Sequence, residues 1–169
     1  MHILKGCIVL AALALLLTGC GFKLRGQATL PPELASVYIN TNRPPEAPPT
    51  ELARTLRQVL EANRVKVTTD PQTATATVAI LGEDIRRRTI ATDATGQARE
   101  YTLTYFMDYT VTRPDGSALI PRDRLSISRN LLYPEVQVLG LEEGDELVLD
   151  SIRSDLSWAI VRRLEALAP

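Results

Sequence analysis

The feature that most constrains the fold is a stretch of regular alternation between residues 103 and 111. Apolar or aromatic side chains occupy every odd position of this stretch: Leu103, Tyr105, Met107, Tyr109 and Val111. The even positions between them are polar, with Phe106 as the one exception. Because successive side chains of a strand point to opposite faces, this pattern predicts a strand with one buried and one polar face. Such a strand needs neighbours, so the chain must build a sheet.

Turn signals on both sides of this strand predict two hairpins. Residues 93–96 read Asp-Ala-Thr-Gly and residues 113–116 read Arg-Pro-Asp-Gly, and both are typical turn sequences. Residues 75–92 and 125–132 are predicted to be the outer strands. A bulge is expected near Gly82, because the apolar positions change parity there.

Helical patterns flank the strands. Residues 50–63 carry leucine and valine at helical spacing after Thr50, a suitable N-cap. The C-terminal stretch is predicted to be a second helix, with Asp145 as its candidate cap and one apolar face formed by Leu149, Ile152, Leu156, Ile160 and Leu164. Short strands are predicted at 37–39 and 65–67. This order of elements predicts an α+β two-layer sandwich, in which two helices pack on a mixed sheet of about four main strands.

An apolar run near the N-terminus ends in a cysteine. Residues 7–17 are eleven consecutive apolar residues, too few to span a membrane but suitable for a signal-peptide core. The following Leu17-Thr18-Gly19-Cys20 resembles a bacterial lipobox, in which the cysteine is lipidated and becomes the first mature residue. We therefore expect a lipoprotein signal peptide at 1–19 and a single domain at 20–169, anchored through Cys20. The alternatives are an ordinary secreted protein and a buried apolar helix.

Glycine at position 21, where aspartate would signal retention, indicates export to the inner leaflet of the outer membrane, by resemblance to enterobacterial lipoproteins. Cleavage before Cys20 would also remove His2 and Cys7, the only histidine and the only other cysteine. A Ser-His-Asp triad, a Cys-His dyad, an intrachain disulfide and most zinc sites are then excluded. We expect neither a metal site nor a cofactor.

The carboxylates are the remaining catalytic option. Glu83 and Asp84 are adjacent, and residues 142–146 form an acidic run. Adjacent strand residues face opposite sides, and acidic residues at a helix start are favoured by the helix dipole. We therefore expect no catalytic residue and no enzyme. A hydrolase that uses carboxylates is kept as an alternative hypothesis.

Charge excludes one class of partner and suggests another. The chain has 19 Lys+Arg against 20 Asp+Glu, without the basic excess typical of nucleic-acid binding. A local arginine surplus on the strands nevertheless suggests contacts with an anionic ligand. The candidate residues are Arg86, Arg88, Arg99, Arg122 and Arg124. Arg86 and Arg88 should share one face of a strand, and Arg122 and Arg124 another. The alternative is cross-strand ion pairing, for instance of Arg88 with Glu100.

Two short motifs carry a family resemblance. The first is Cys20-Gly21-Phe22-Lys23-Leu24-Arg25-Gly26, and the second is Gly96-Gln97-Ala98-Arg99-Glu100-Tyr101. Together with the order of elements, they resemble the LptE family of lipopolysaccharide-assembly lipoproteins over nearly the whole mature chain. The residues that match the family pattern are Gly21, Phe22, Leu24, Arg25, Gly96, Gln97, Glu100 and Tyr101.

The resemblance implies helices on a mixed sheet, in a lipoprotein that forms a heterodimer with the outer-membrane β-barrel LptD. Such a protein sits in the barrel as a plug and assists delivery of lipopolysaccharide to the cell surface. The resemblance also implies a cation just before the Gly-Gln turn, whereas this chain has none at 93–95. Anionic contacts would then fall to Arg88 and Arg99, which flank the turn, or to the other hairpin. The alternative function is a standalone periplasmic lipoprotein that binds an acidic glycan or lipid.

Overall fold

A computed structural model of the chain describes residues 30–44, 46–132 and 141–167, with the first three residues of the last helix described as backbone alone. The elements in chain order are β1 (Ser36–Asn40), α1 (Glu51–Ala62), β2 (Lys66–Thr68), β3 (Ala76–Thr92), β4 (Ala98–Thr112), β5 (Ala118–Leu132) and α2 (Leu141–Glu165), with 3-10 turns at Pro32–Leu34 and Pro71–Thr73. The predicted α+β arrangement is confirmed, with five strands in place of about four. The predicted 125–132 strand begins earlier, at Ala118. No helix within the described ranges has both the length and the apolar character needed to cross a bilayer.

The sheet is mixed, in the order β2-β1-β3-β4-β5. β1 runs parallel to β2 and β3, whereas β3, β4 and β5 form an antiparallel meander. The parallel pairing of β1 and β2 follows from the α1 crossover between them. The bulge predicted near Gly82 is confirmed, because the β3–β4 register shifts between Ile80 and Gly82. The two predicted turns are also confirmed.

Helix α1 begins and ends with local hydrogen bonds. The Thr50 hydroxyl accepts a hydrogen bond from the Ala53 amide at 3.2 Å, which confirms the predicted N-cap. At the other end, the Val65 amide donates to the Leu60 carbonyl at 3.1 Å, and Arg64 has a φ of 65°. A left-handed residue followed by this backbone bond is the usual way to end a helix and turn the chain into the next strand.

Helix α2 begins at Leu141, so the prediction that Asp145 caps it is wrong. Asp145 lies in the second turn and forms an ion pair with Arg87 of β3. Acidic residues near the start of a helix interact favourably with the helix dipole, so the acidic run is explained without a capping role for Asp145. The predicted apolar face is confirmed: Ile152, Leu156, Ile160 and Leu164 are fully buried, and Leu149 is half-buried.

Both helices cover the same side of the sheet. The odd-numbered β4 residues from 103 to 111 are all buried in one core with residues of α1 and α2. We call this side the helix face. The opposite side, which carries the even-numbered β4 residues, has no helix packed on it in the described part of the chain. We call it the open face, and it holds most of the candidate site.

Candidate functional site

Four of the five candidate arginines lie on the open face. Arg86, Arg88 and Arg124 pair across the sheet with even-numbered β4 residues, and Arg122 reaches the same face by contacting Asp108. Each predicted pair therefore shares a face. The sequence pattern does not determine the register of β3, β4 and β5. In the structure, this meander brings the Arg86/Arg88 pair and the Arg122/Arg124 pair to the same side of one sheet.

Asp108 holds two of these arginines. The Arg124 Nε lies 2.5 Å from Asp108 Oδ1, and the Arg122 guanidinium lies 2.9 Å from Asp108 Oδ2. Hydrogen bonds from Arg124, and next from Arg122, hold the pKa of Asp108 well below its usual range. Both cations are thus partly neutralised by a carboxylate of the same face.

Arg86 is held in a similar way by its neighbours. Its Nε lies 2.7 Å from Asp84 Oδ2, and its guanidinium lies over the Phe106 ring at 4.9 Å from the ring centre. A cation over an aromatic ring is an attractive arrangement. Phe106, the exception in the alternating pattern, is therefore the aromatic base on which an arginine of the open face rests.

Arg99 is the second residue of β4 and contacts the β3–β4 turn. Its guanidinium lies 2.7 Å from Asp93 Oδ2, and the other Asp93 oxygen accepts hydrogen bonds from Thr95 and from the Gln97 amide. The Thr95 hydroxyl contributes most to lowering the pKa of Asp93 to about 2. At the position where the family resemblance implies a basic residue, this chain has an acidic turn, and the carboxylate of Asp93 also forms an ion pair with Arg99.

Arg88 differs from the other four candidates. It lies opposite Thr102, whereas Glu100 lies opposite Ala91 and accepts a hydrogen bond from Asn130 at 3.3 Å. A register shift between Thr89 and Ala91 separates the two charges, so the suggested Arg88–Glu100 pair does not form. Within the described ranges, Arg88 is the one candidate arginine that has no carboxylate partner.

The motif residues are placed only in part. Gly96 has a φ of 82°, a conformation that glycine adopts without strain, and its turn holds Gln97 as described above. Tyr101 lies under the Arg87 guanidinium at 5.4 Å. Cys20, the motif that follows it (Gly21, Phe22, Leu24 and Arg25) and the predicted signal peptide lie outside the described residues.

Glu83 and Asp84 lie on opposite faces of the sheet and do not converge on a common point. Glu83 lies opposite Met107 on the helix face and accepts a hydrogen bond from the Tyr105 hydroxyl, whereas Asp84 lies on the open face. Burial, and then the bond to Glu83, raises the pKa of Tyr105. In the part of the chain that the structure describes, no three His, Cys, Asp or Glu residues are grouped as metal ligands.

Sequence reasoning missed the acidic half of this site. The sequence analysis considers Asp84 only as a catalytic carboxylate and does not select Asp108, although both occupy positions of the polar face, where cross-strand partners of arginine are expected. The link between Arg87 and Asp145 was also missed, because it joins a strand to a helix that lies far away in the chain. Strand parity could have identified the two aspartates, whereas nothing in the sequence indicates the ion pair between Arg87 and Asp145.

Comparison with known proteins gives a consistent result. The family model LptE, described as lipopolysaccharide-assembly, matches residues 34–164. A protein named LPS-assembly lipoprotein LptE from Photorhabdus laumondii is 31% identical over 157 residues, which are 92% of this chain and 83% of the relative. A protein of the same name from Yersinia enterocolitica is 30% identical over 159 residues, which are 93% of this chain and 74% of the relative.

Solved structures show the same fold. The solution structure of lipoprotein B from Nitrosomonas europaea matches with a TM-score of 0.68 at 24% identity, over 86% of this chain and 91% of that protein. The family match itself runs from just before β1 to the last turn of α2. This chain therefore belongs to the LptE family of lipopolysaccharide-assembly proteins.

Proposed function

We propose that this chain is an outer-membrane lipoprotein, lipidated at Cys20, that partners the β-barrel LptD as a plug and assists lipopolysaccharide assembly at the cell surface. Family membership supports the assembly role. The relatives from Photorhabdus and Yersinia are both named as LPS-assembly lipoproteins. The lipobox-like Leu17-Thr18-Gly19-Cys20 supports attachment to the envelope.

The observation that carries the barrel partnership is the open face. It presents hydroxyl, amide, carboxylate and guanidinium groups along three long strands, joined by cross-strand bonds such as Thr104 to Ser128 at 2.8 Å. A sheet face without a helix usually needs either water or a partner, and barrel interiors are polar. A rigid polar surface of this kind suits the lumen of a barrel.

Lipopolysaccharide contact is assigned first to Arg88. Arginine side chains bind phosphate through paired hydrogen bonds, and a cation already held by a carboxylate gains less from a second anion. Arg86, Arg122 and Arg124 have such a carboxylate on the open face, and Arg99 has one in the turn. They are assigned as secondary contacts.

The partnership is tested by purifying the full chain from native membranes through a C-terminal tag and identifying co-purified proteins by mass. A large β-barrel should co-purify in equal amount with the wild-type chain. With Cys20→Ser as the anchoring control, the protein should lose membrane attachment. If the wild-type chain elutes alone and the barrel is stable without it, the proposed partnership is wrong.

The lipopolysaccharide contact is tested with purified lipopolysaccharide and two single variants. Arg88→Ala should weaken binding about tenfold, whereas Arg54→Ala, on the exposed side of α1, should change it less than about twofold. Equal losses in the two variants would indicate a general charge effect and would remove Arg88 from the contact.

The same experiments separate the remaining hypotheses. A standalone lipoprotein that binds an acidic glycan or lipid would bind its ligand without a co-purified barrel, and family membership does not favour this alternative. For the role we propose, the chain binds and does not catalyse. Turnover that depends on Glu83 or Asp84 would contradict this.

A further inference from the structure

The C-terminal part of β3, beyond Ala79, is an exposed sheet edge. β1 pairs with β3 only as far as Asn40 opposite Ala79, so beyond that point β4 is the single neighbour of β3 among the described residues. Register shifts lie at Ile80/Gly82 and again after Thr89, and the residues between them pair with β4 without interruption. We call residues 82–89 the free-edge segment. Its eight residues extend over about 26 Å, longer than a typical strand.

Three charged side chains of this segment contact β4 or α2 rather than lie along its edge. On the open face, Arg86 lies over Phe106. On the helix face, Glu83 accepts a hydrogen bond from a β4 tyrosine, and Arg87 lies over Tyr101 and pairs with Asp145 of α2. All these contacts draw side chains inward across β4. Charged residues at an edge usually block further pairing, but within the described ranges these contacts leave the backbone of the edge uncovered.

The other long edge of the sheet carries a different set of features. β5 contains Pro121, which has no amide hydrogen to donate to an added strand, and its register with β4 shifts twice near that residue. The free-edge segment contains no proline, and all of its residues are exposed. An added strand would therefore pair with β3 more readily than with the first half of β5.

The side chains at this edge define the partner. Ile85 is 44% exposed on the helix face, and Leu147 of α2, on the same side of the sheet, is 73% exposed. Arg88 stands on the open face as a cation without a carboxylate partner in the described ranges. An added strand alternates its side chains between these two faces. It would need apolar residues on one face and acidic residues on the other.

We infer that the free-edge segment receives an extended segment of a partner polypeptide by β-strand addition, with alternate apolar and acidic side chains. Main-chain hydrogen bonds would supply affinity, and the Ile85 and Arg88 environments would select the sequence. The inference concerns the edge of the sheet; it shares Arg88 with the open face and does not depend on the identity of the barrel partner.

The test uses the full lipidated chain in detergent and a nine-residue peptide that alternates valine with glutamate. A peptide that alternates valine with lysine is the control probe. Amide hydrogen exchange locates the contact, and titration gives the affinity. The variants are Arg88→Glu and, as the matched charge reversal in the distant β4–β5 turn, Arg113→Glu.

The valine–glutamate peptide should slow amide exchange in residues 82–89 and leave β5 unchanged. Arg88→Glu should weaken its binding about tenfold, since an opposite-charge pair becomes a like-charge pair. Arg113→Glu should change binding less than about twofold. The inference would be overturned by slowed exchange in β5 or by the absence of slowing in residues 82–89. Equal binding of the valine–lysine peptide, or equal losses of affinity in both variants, would also overturn it. Exchange in residues 82–89 that slows with protein concentration, without peptide, would identify a second copy of this chain as the occupant and would also overturn it.

Discussion

Arg153 on α2 is a buried cation whose net contribution to stability can be worked out from its surroundings. Its side chain is 8% exposed, whereas those of its partners Glu146 and Asp150 are 56% and 64% exposed. Its Nη1 lies 2.6 and 2.7 Å from the two carboxylates, and its buried Nε has no hydrogen-bond partner in the described part of the chain. The guanidinium is therefore desolvated but only partly compensated.

The opposing contributions nearly cancel. Removing a guanidinium from water costs several kcal/mol. Each ion pair with an exposed carboxylate returns about 1 kcal/mol, because solvent screens it. The apolar stem of Arg153 adds packing that a methionine of similar length would keep. We therefore expect Arg153→Met to raise the free energy of unfolding by about 1 kcal/mol. Arg153→Ala should lower it by about 2 kcal/mol, since it also removes the stem.

Urea unfolding of residues 20–169, produced without the predicted signal peptide, measures both changes. The fluorescence of Trp158, the single tryptophan, follows the packing of α2 on the sheet. Circular dichroism should give the same transition for each variant. If Arg153→Met lowers the free energy of unfolding by more than about 1 kcal/mol, the ion pairs stabilise the fold more than desolvation costs, and the reasoning is wrong.

Three further predictions concern the turn, the open face and the core. The pKa of Asp93 is lowered to about 2, so its carboxyl should titrate near that pH by NMR. The stability it contributes is present above the ordinary aspartate pKa of about 4 and is lost as the pH falls toward 2; titration near 4 would contradict the turn geometry. Asp108→Asn should release two arginines and strengthen the binding of inorganic phosphate, measured by arginine side-chain NMR shifts; unchanged shifts would show that the arginines find other partners. Leu156→Ala, at a fully buried position, should lower the free energy of unfolding by about 2–5 kcal/mol in urea, whereas Leu147→Ala, at an exposed one, should change it by less than about 0.5 kcal/mol; equal effects would contradict the packing of α2.

Local signals in the sequence predicted most of the elements. The alternation from Leu103 to Val111, the two turn sequences and Thr50 as a cap all act over a few residues, and the structure confirms each of them. The Asp145 cap was wrong because an acidic residue suits both a cap and the first turns of a helix. Contacts with distant residues, which the local sequence does not contain, decided between the two.

The candidate site was predictable as a set of residues but not as an arrangement. The sequence by itself selected the arginines and determined that they lie on the strands, because strand parity is a local property. Only the tertiary structure decided that Arg122 and Arg124 share Asp108, that Arg86 rests on Phe106, and that Arg88 remains without a carboxylate partner among the described residues. The physical reason is register: a shift of one residue between strands changes every cross-strand partner, and register is set by bulges and packing across the whole sheet.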